Sequence, residues 1–106
     1  MSDVNALIEQ NRTPITELCR RYGVRRLDAF GSVLRDDFDP LTSDVDFVVE
    51  FVDRSPRGAA DRYFGLLFGL EELLGRRVDL VMSTALTNPD LRAEIERSRV
   101  PIHAAA

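Results

Sequence analysis

Residues 44–51 read Asp-Val-Asp-Phe-Val-Val-Glu-Phe, and they constrain this chain more than any other stretch. Side chains of a strand alternate between its two faces. Val45, Phe47, Val49 and Phe51 therefore share one face, which must enter a core, while Asp44 and Asp46 project together from the other. A strand of this kind needs a second layer over its apolar face. With 106 residues the chain has room for one core and not two, so a single domain spanning 1–106 is expected. Apolar residues make up 44% and charged residues 30%, the balance of a folded chain rather than a disordered one.

The flanking segments supply that second layer. Ser2–Gln10 reads as a short amphipathic helix with Val4, Leu7 and Ile8 inward. Thr13-Pro14 reads as the start of a second helix, with Thr13 as its cap, running through Ile15, Leu18 and Cys19 to Tyr22 and stopped by Gly23. Arg26–Phe30 reads as a short strand leading into Gly31-Ser32 and a short helix, and the acidic, Pro40-containing stretch from Arg35 to Ser43 as a loop. Arg54–Gly58 reads as a turn or flexible loop. A helix from Ala60 to Leu74 follows, with Tyr63, Leu66, Leu67, Leu70, Leu73 and Leu74 on one stripe. Arg77–Met82 reads as a third strand, Asn88-Pro89 opens a last helix to about Arg97, and Val100–His103 suits a short edge strand. This order predicts an α+β domain with a small mixed sheet covered by helices.

Charge narrows the function. The net charge is −4, which argues against a module that coats nucleic acid, so no stable nucleic-acid binding is expected. All 14 cations are arginine. The absence of lysine excludes a Walker-type phosphate lysine and a Schiff base. Base composition of the genome explains this bias, or some arginines clamp phosphate, where a planar fork outperforms an ammonium. No apolar run approaches the roughly 18 residues of a membrane span, no secretory leader is expected, and one cysteine suits a reducing compartment. The expected location is the cytoplasm.

Three acids stand where the fold does not need them. In the third strand Val78 and Leu80 face one way and Asp79 the other. If the second and third strands are neighbours, Asp44, Asp46 and Asp79 line one side of the sheet. Two like charges about 4 Å apart repel by roughly 4 kcal/mol at an effective dielectric near 20. A cation that neutralises them is therefore expected, and a hard divalent ion such as Mg2+ takes carboxylate oxygens together with substrate phosphates. Gly31-Ser32, between a strand and a helix, can turn backbone N–H groups and a hydroxyl toward an anion. Arg35, one turn on, either neutralises phosphate or pairs with Asp36 or Asp37. The arrangement points to metal-dependent phosphoryl-type transfer.

Gly31-Ser32-Val33-Leu34-Arg35, then Ser43-Asp44-Val45-Asp46, then Arg77-Val78-Asp79-Leu80, together resemble the minimal nucleotidyltransferases of the polymerase-beta-like superfamily. The resemblance spans about Arg26 to Met82. It implies that the Gly31-Ser32 loop, with Arg35 and Ser43 beside it, binds the nucleotide triphosphate. It further implies that Asp44 and Asp46 hold Mg2+ and that Asp79 completes the catalytic set. The eleven residues from 33 to 43 make this loop one residue longer than the common form of the motif. No separate acceptor-binding domain is expected beside the sheet and its helices, so the resemblance implies an acceptor presented by another protein. Minimal nucleotidyltransferases are commonly antitoxins paired with a HEPN-domain ribonuclease, and some transfer AMP from ATP to a tyrosine of that toxin. Two other readings stand beside this one: an antitoxin that neutralises by binding alone, and nucleotidyl transfer to a small molecule or an RNA end.

The remaining chemistry-bearing residues have plainer readings. His103 is read as an exposed tail residue, which leaves histidine-based metal sites and triads poor candidates. Cys19 falls on the apolar stripe of its helix and is read as core. Phe64 and Phe68 lie one turn apart beside the leucine stripe, as the edge of the core or as an apolar partner patch.

Overall fold

The computed structural model describes residues 4–30, 45–53 and 55–104. The elements are α1 (Val4–Gln10), α2 (Arg12–Arg21), β1 (Val24–Phe30), β2 (Val45–Phe51), α3 (Ala59–Leu74), β3 (Val78–Met82), α4 (Pro89–Ser98) and β4 (Val100–Ala104), with a 3-10 turn at Ser83–Ala85. The four strands form one mixed sheet in the order β3-β2-β1-β4. β2 runs parallel to β3, and β1 runs antiparallel to both β2 and β4. The expected α+β architecture is the one observed. The short helix expected after Gly31-Ser32 lies outside the described residues.

The apolar alternation of β2 builds the main core. Val45, Phe47, Val49 and Phe51 pack with Leu27 and Ala29 of β1, Val78 and Leu80 of β3, and Ile102 of β4. Ile15 and Cys19 of α2 and Leu66, Leu70 and Leu74 of α3 close over them. The i, i+4 spacing of the leucines puts them on one stripe of α3. Gly75 then ends that helix at φ 65°, its N–H bonded to the Glu71 carbonyl at 2.9 Å. Val48, on the opposite face of β2, is also buried, under Leu86 and Ile95 of the α4 arm with Phe30 and Val81 packed beside them. Both faces of β2 are therefore covered along part of its length.

Four expectations change. Thr13 is inside α2, and the cap position falls to Asn11, whose side chain donates to the Leu7 carbonyl at 2.9 Å and ties α2 to the end of α1. Pro14 fits one turn in because the first helical N–H groups need no partner. β1 begins at Val24, two residues early, because Val24 is buried and pairs with Phe51 across a bulge. His103 is half-buried in β4 opposite Leu27, not in a frayed tail, because the apolar Ile102 draws the segment onto the sheet. Phe64 and Phe68 are exposed, at 49% and 60%, and stack on each other at 5.8 Å rather than edging the core. Their positions point away from the Leu66-Leu70-Leu74 stripe.

The described part of the 54–58 loop is held by α3. Arg62 donates to the Arg57 carbonyl at 2.9 Å and to the Ser55 carbonyl at 2.8 Å, and it lies 3.6 Å from the Asp53 carboxylate. Gly58 at φ 73° then lets the chain turn into α3. Gly65 and Gly69 are needed for close approach instead. A Cβ on Gly65 would lie 2.4 Å from the Tyr22 ring, and one on Gly69 would lie 2.8 Å from Leu18.

Candidate active site

Parallel pairing of β2 with β3 decides where the acids go. Val45 faces Val78, Asp46 faces Asp79 and Phe47 faces Leu80 across the ladder. The flanking apolar residues of both strands enter the main core, so the Asp46 and Asp79 positions share the opposite face. Neighbouring strands lie about 4.8 Å apart. At roughly 5 Å two carboxylates repel by about 1 kcal/mol in water and about 3 kcal/mol at an effective dielectric of 20. Asp79 is exposed and Asp46 half-buried, so the pair sits where a solvated cation can reach it.

Gly31, Ser32, Arg35, Ser43 and Asp44 lie outside the described residues. The two ends of that stretch are nonetheless fixed beside the acid pair. Phe30, the residue before Gly31, is the partner of Asp46 on the β1 side. Val45, the residue after Asp44, donates its N–H to the Arg77 carbonyl at 3.2 Å. Among the described residues no group of three histidine, cysteine or acidic side chains forms a metal site. Asp46 and Asp79 supply a two-carboxylate, all-oxygen donor set, which is the chemistry Mg2+ takes.

The face that carries the acids also holds a residue the sequence analysis passed over. Asp28 of β1 is fully buried, two positions before Phe30 and opposite Val48. Arg26 lies against its carboxylate at 3.0 Å, and Arg99, at the end of α4, bonds to the same oxygen from the other side. Arg99 also donates to Glu96 at 2.6 Å. Burial works against the Arg99 charge, but the bonds and fields of Asp28 and Glu96 outweigh it and raise its pKa above the usual arginine value. The signal for Asp28 was present in Arg-Arg-Leu-Asp-Ala-Phe: an acid inside an apolar strand with an arginine two residues earlier on the same face. This bridge ties α4 to the sheet and helps keep Ile95 over Val48, away from the acid pair at the other end of the face.

On the core side, Tyr63 of α3 donates its hydroxyl to the Leu80 carbonyl at 2.5 Å, one residue from Asp79. Burial, and secondarily the negative field of Asp79, pushes the Tyr63 phenol above its ordinary pKa. A hollow of about 230 Å³ lined by Phe51, Asp53, Arg62 and Met82 lies at the opposite end of β2 from Asp46 and takes no part in this arrangement.

Known proteins share this plan. The nucleotidyltransferase domain family matches residues 12–102. The chain is similar to the protein adenylyltransferase MntA of Thermococcus cleftensis, with 43% identity over 70 residues, 66% of this chain and 67% of that protein. A solved chain described as a candidate minimal nucleotidyltransferase superposes with a TM-score of 0.70 at 33% identity, covering 95% of this chain and 96% of that one. The fold is also that of a chain in the complex of a tri-AMPylated HEPN toxin from Shewanella oneidensis with an MNT antitoxin. There the TM-score is 0.64 at 20% identity, over 92% of this chain and 73% of that one.

Proposed function

Because the chain belongs to the nucleotidyltransferase domain family and has the polymerase-beta-like fold of the minimal nucleotidyltransferases, we propose that it transfers AMP from ATP to a tyrosine of a HEPN-domain toxin and so acts as that toxin's antitoxin. The observation that carries this reading is the register that sets Asp46 beside Asp79 on adjoining parallel strands. The name of the Thermococcus relative supports adenylyl transfer to a protein, and the AMPylated toxin complex supports the class of acceptor.

Asp44, Asp46 and Asp79 would hold Mg2+ through carboxylate oxygens, and the bound ion supplies positive charge to offset the nucleotide phosphates. Gly31 and Ser32 bind the triphosphate through backbone N–H groups and the hydroxyl, with Arg35 and Ser43 beside them. Asp79, more exposed than Asp46, faces the incoming acceptor and takes the proton of the tyrosine hydroxyl. The tyrosine oxygen bonds to the α-phosphorus, the bond from that phosphorus to the bridging oxygen breaks, and pyrophosphate leaves with the electron pair. The acceptor docks as a separate protein, and the cytoplasm is the compartment proposed for both proteins.

The test uses the purified protein, labelled ATP, Mg2+ and the product of the neighbouring gene. Label should appear on that product, and Asp44→Asn with Asp46→Asn should abolish it. An unlabelled partner rejects transfer. A double variant that still binds the partner and still rescues growth assigns neutralisation to binding alone.

A further inference from the structure

Among the described residues β3 is an edge strand, paired on one side only. In a parallel ladder alternate residues turn their backbone groups toward the neighbour. The bond from Val45 N–H to the Arg77 carbonyl shows which residues these are: Arg77 and Asp79 address β2, while Val78 and Leu80 turn theirs to the free edge. Unpaired edge groups are a template for another strand and leave an edge free to shift. Here α3 reaches over and takes two of them. The Glu71 carboxylate accepts the Val78 N–H at 3.1 Å, and the Tyr63 hydroxyl donates to the Leu80 carbonyl at 2.5 Å. The two bonds bracket Asp79, one residue before it and one after. Tyr63 and Glu71 lie two turns apart on α3, and the same helix is anchored in the core through Leu66, Leu70 and Leu74.

We infer that Tyr63 and Glu71 are positioning residues for the reaction: clips from α3 that hold the Asp79 carboxylate at its working distance from Asp46. This rests on the role given to Asp79 above. β2 fixes Asp79 from one side only, and the acceptor arrives on the exposed side. Displacements on the order of 1 Å at a reacting group can cost about a hundredfold in rate, so a loose edge strand would be felt in turnover before it was felt in folding.

Four variants test this in the AMP-transfer assay: Tyr63→Phe, Glu71→Ala, Glu71→Gln and Asp79→Asn. Tyr63→Phe removes only the hydroxyl, and Glu71→Ala removes the acceptor. Glu71→Gln keeps a carbonyl oxygen that can accept the Val78 N–H. We expect Tyr63→Phe and Glu71→Ala each to lower kcat about tenfold with KM for ATP within about twofold, and Glu71→Gln to stay within about twofold of the parent. Amide exchange gives a second readout independent of nucleotide and metal. The Val78 N–H should lose protection in Glu71→Ala and keep it in Glu71→Gln, while Val48, whose backbone groups turn toward β1, stays protected as the mark of an intact fold. Parent-like kcat in folded Tyr63→Phe and Glu71→Ala, with Asp79→Asn inactive, overturns the inference and leaves the proposed function standing. An active Asp79→Asn overturns both the inference and the role given to Asp79, and a parent protein that transfers no AMP overturns the proposed function.

Discussion

Among the described residues Asp28 is the most deeply buried carboxylate. It is fully buried between Arg26 and Arg99. Removing the carboxylate strips Arg26 and Arg99 of charge-assisted bonds, each worth roughly 1.5–3 kcal/mol. Asp28→Ala should therefore lower the unfolding free energy from urea melts by an amount in that range, with a lower midpoint, whereas Glu9→Ala, which breaks an exposed i, i+3 pair with Arg12, should leave the midpoint almost unmoved. Equal midpoints for the two variants would contradict the assignment of Asp28 as a structural bridge. Cys19 sets an alkaline limit. Burial pushes its thiol from 9.0 up to about 12. Below pH 9 the thiol is neutral in both folded and unfolded chains and costs nothing. Between pH 9 and 12 only the unfolded chain ionises, so stability falls by about 1.4 kcal/mol per pH unit from this group. Denaturation of Cys19→Ala across that window should show a shallower decline than the parent, and parallel curves would contradict the burial argument.

At the scale of elements, α2 and α3 are in contact because two glycines let them be. Gly65→Ala gains up to about 1 kcal/mol of helix propensity but drives a methyl into the Tyr22 ring, and overpacking of this kind costs about 1–3 kcal/mol. The expected net effect is destabilisation. Tyr22→Ala in the same chain should recover most of it, and additive losses would show that the ring is not the obstacle. The sequence made most elements legible for identifiable reasons. Asn88-Pro89 carried a complete start signal, and Asn88 indeed accepts from Asp90 and Leu91. The alternation of residues 45–51 exposed one face of β2 as core. What it hid were contacts between elements. Nothing local distinguishes Asn11 from Thr13 as a cap, because the choice depends on the end of α1. The bond from Asp28 to Arg99 spans 71 positions, and only the pairing of β1 with β4 brings them together.

At the scale of the whole molecule, the sheet places a like-charged pair at one end of a face whose middle is covered by α4. The alternation within β2 and β3 shows that Asp46 and Asp79 avoid the core. That they are ladder partners follows only from the parallel register. No described helix is long and apolar enough to cross a membrane. A cation bound by the pair should favour folding. Asp79→Asn is therefore expected to remove most of the stabilisation that Mg2+ confers on the parent. Thermal unfolding of both proteins with and without Mg2+ measures the effect, and an equal Mg2+ shift in the two would contradict it.

Manganese titration followed by nuclear magnetic resonance tests the central claim most directly, since a paramagnetic ion broadens the signals of the groups nearest to it. The account predicts that the resonances of Asp46 and Asp79 fade together at the same low ratio of metal to protein, and that substituting either acid by asparagine protects the other. Fading of one without the other, or of neither, would contradict a shared cation at the β2–β3 pair.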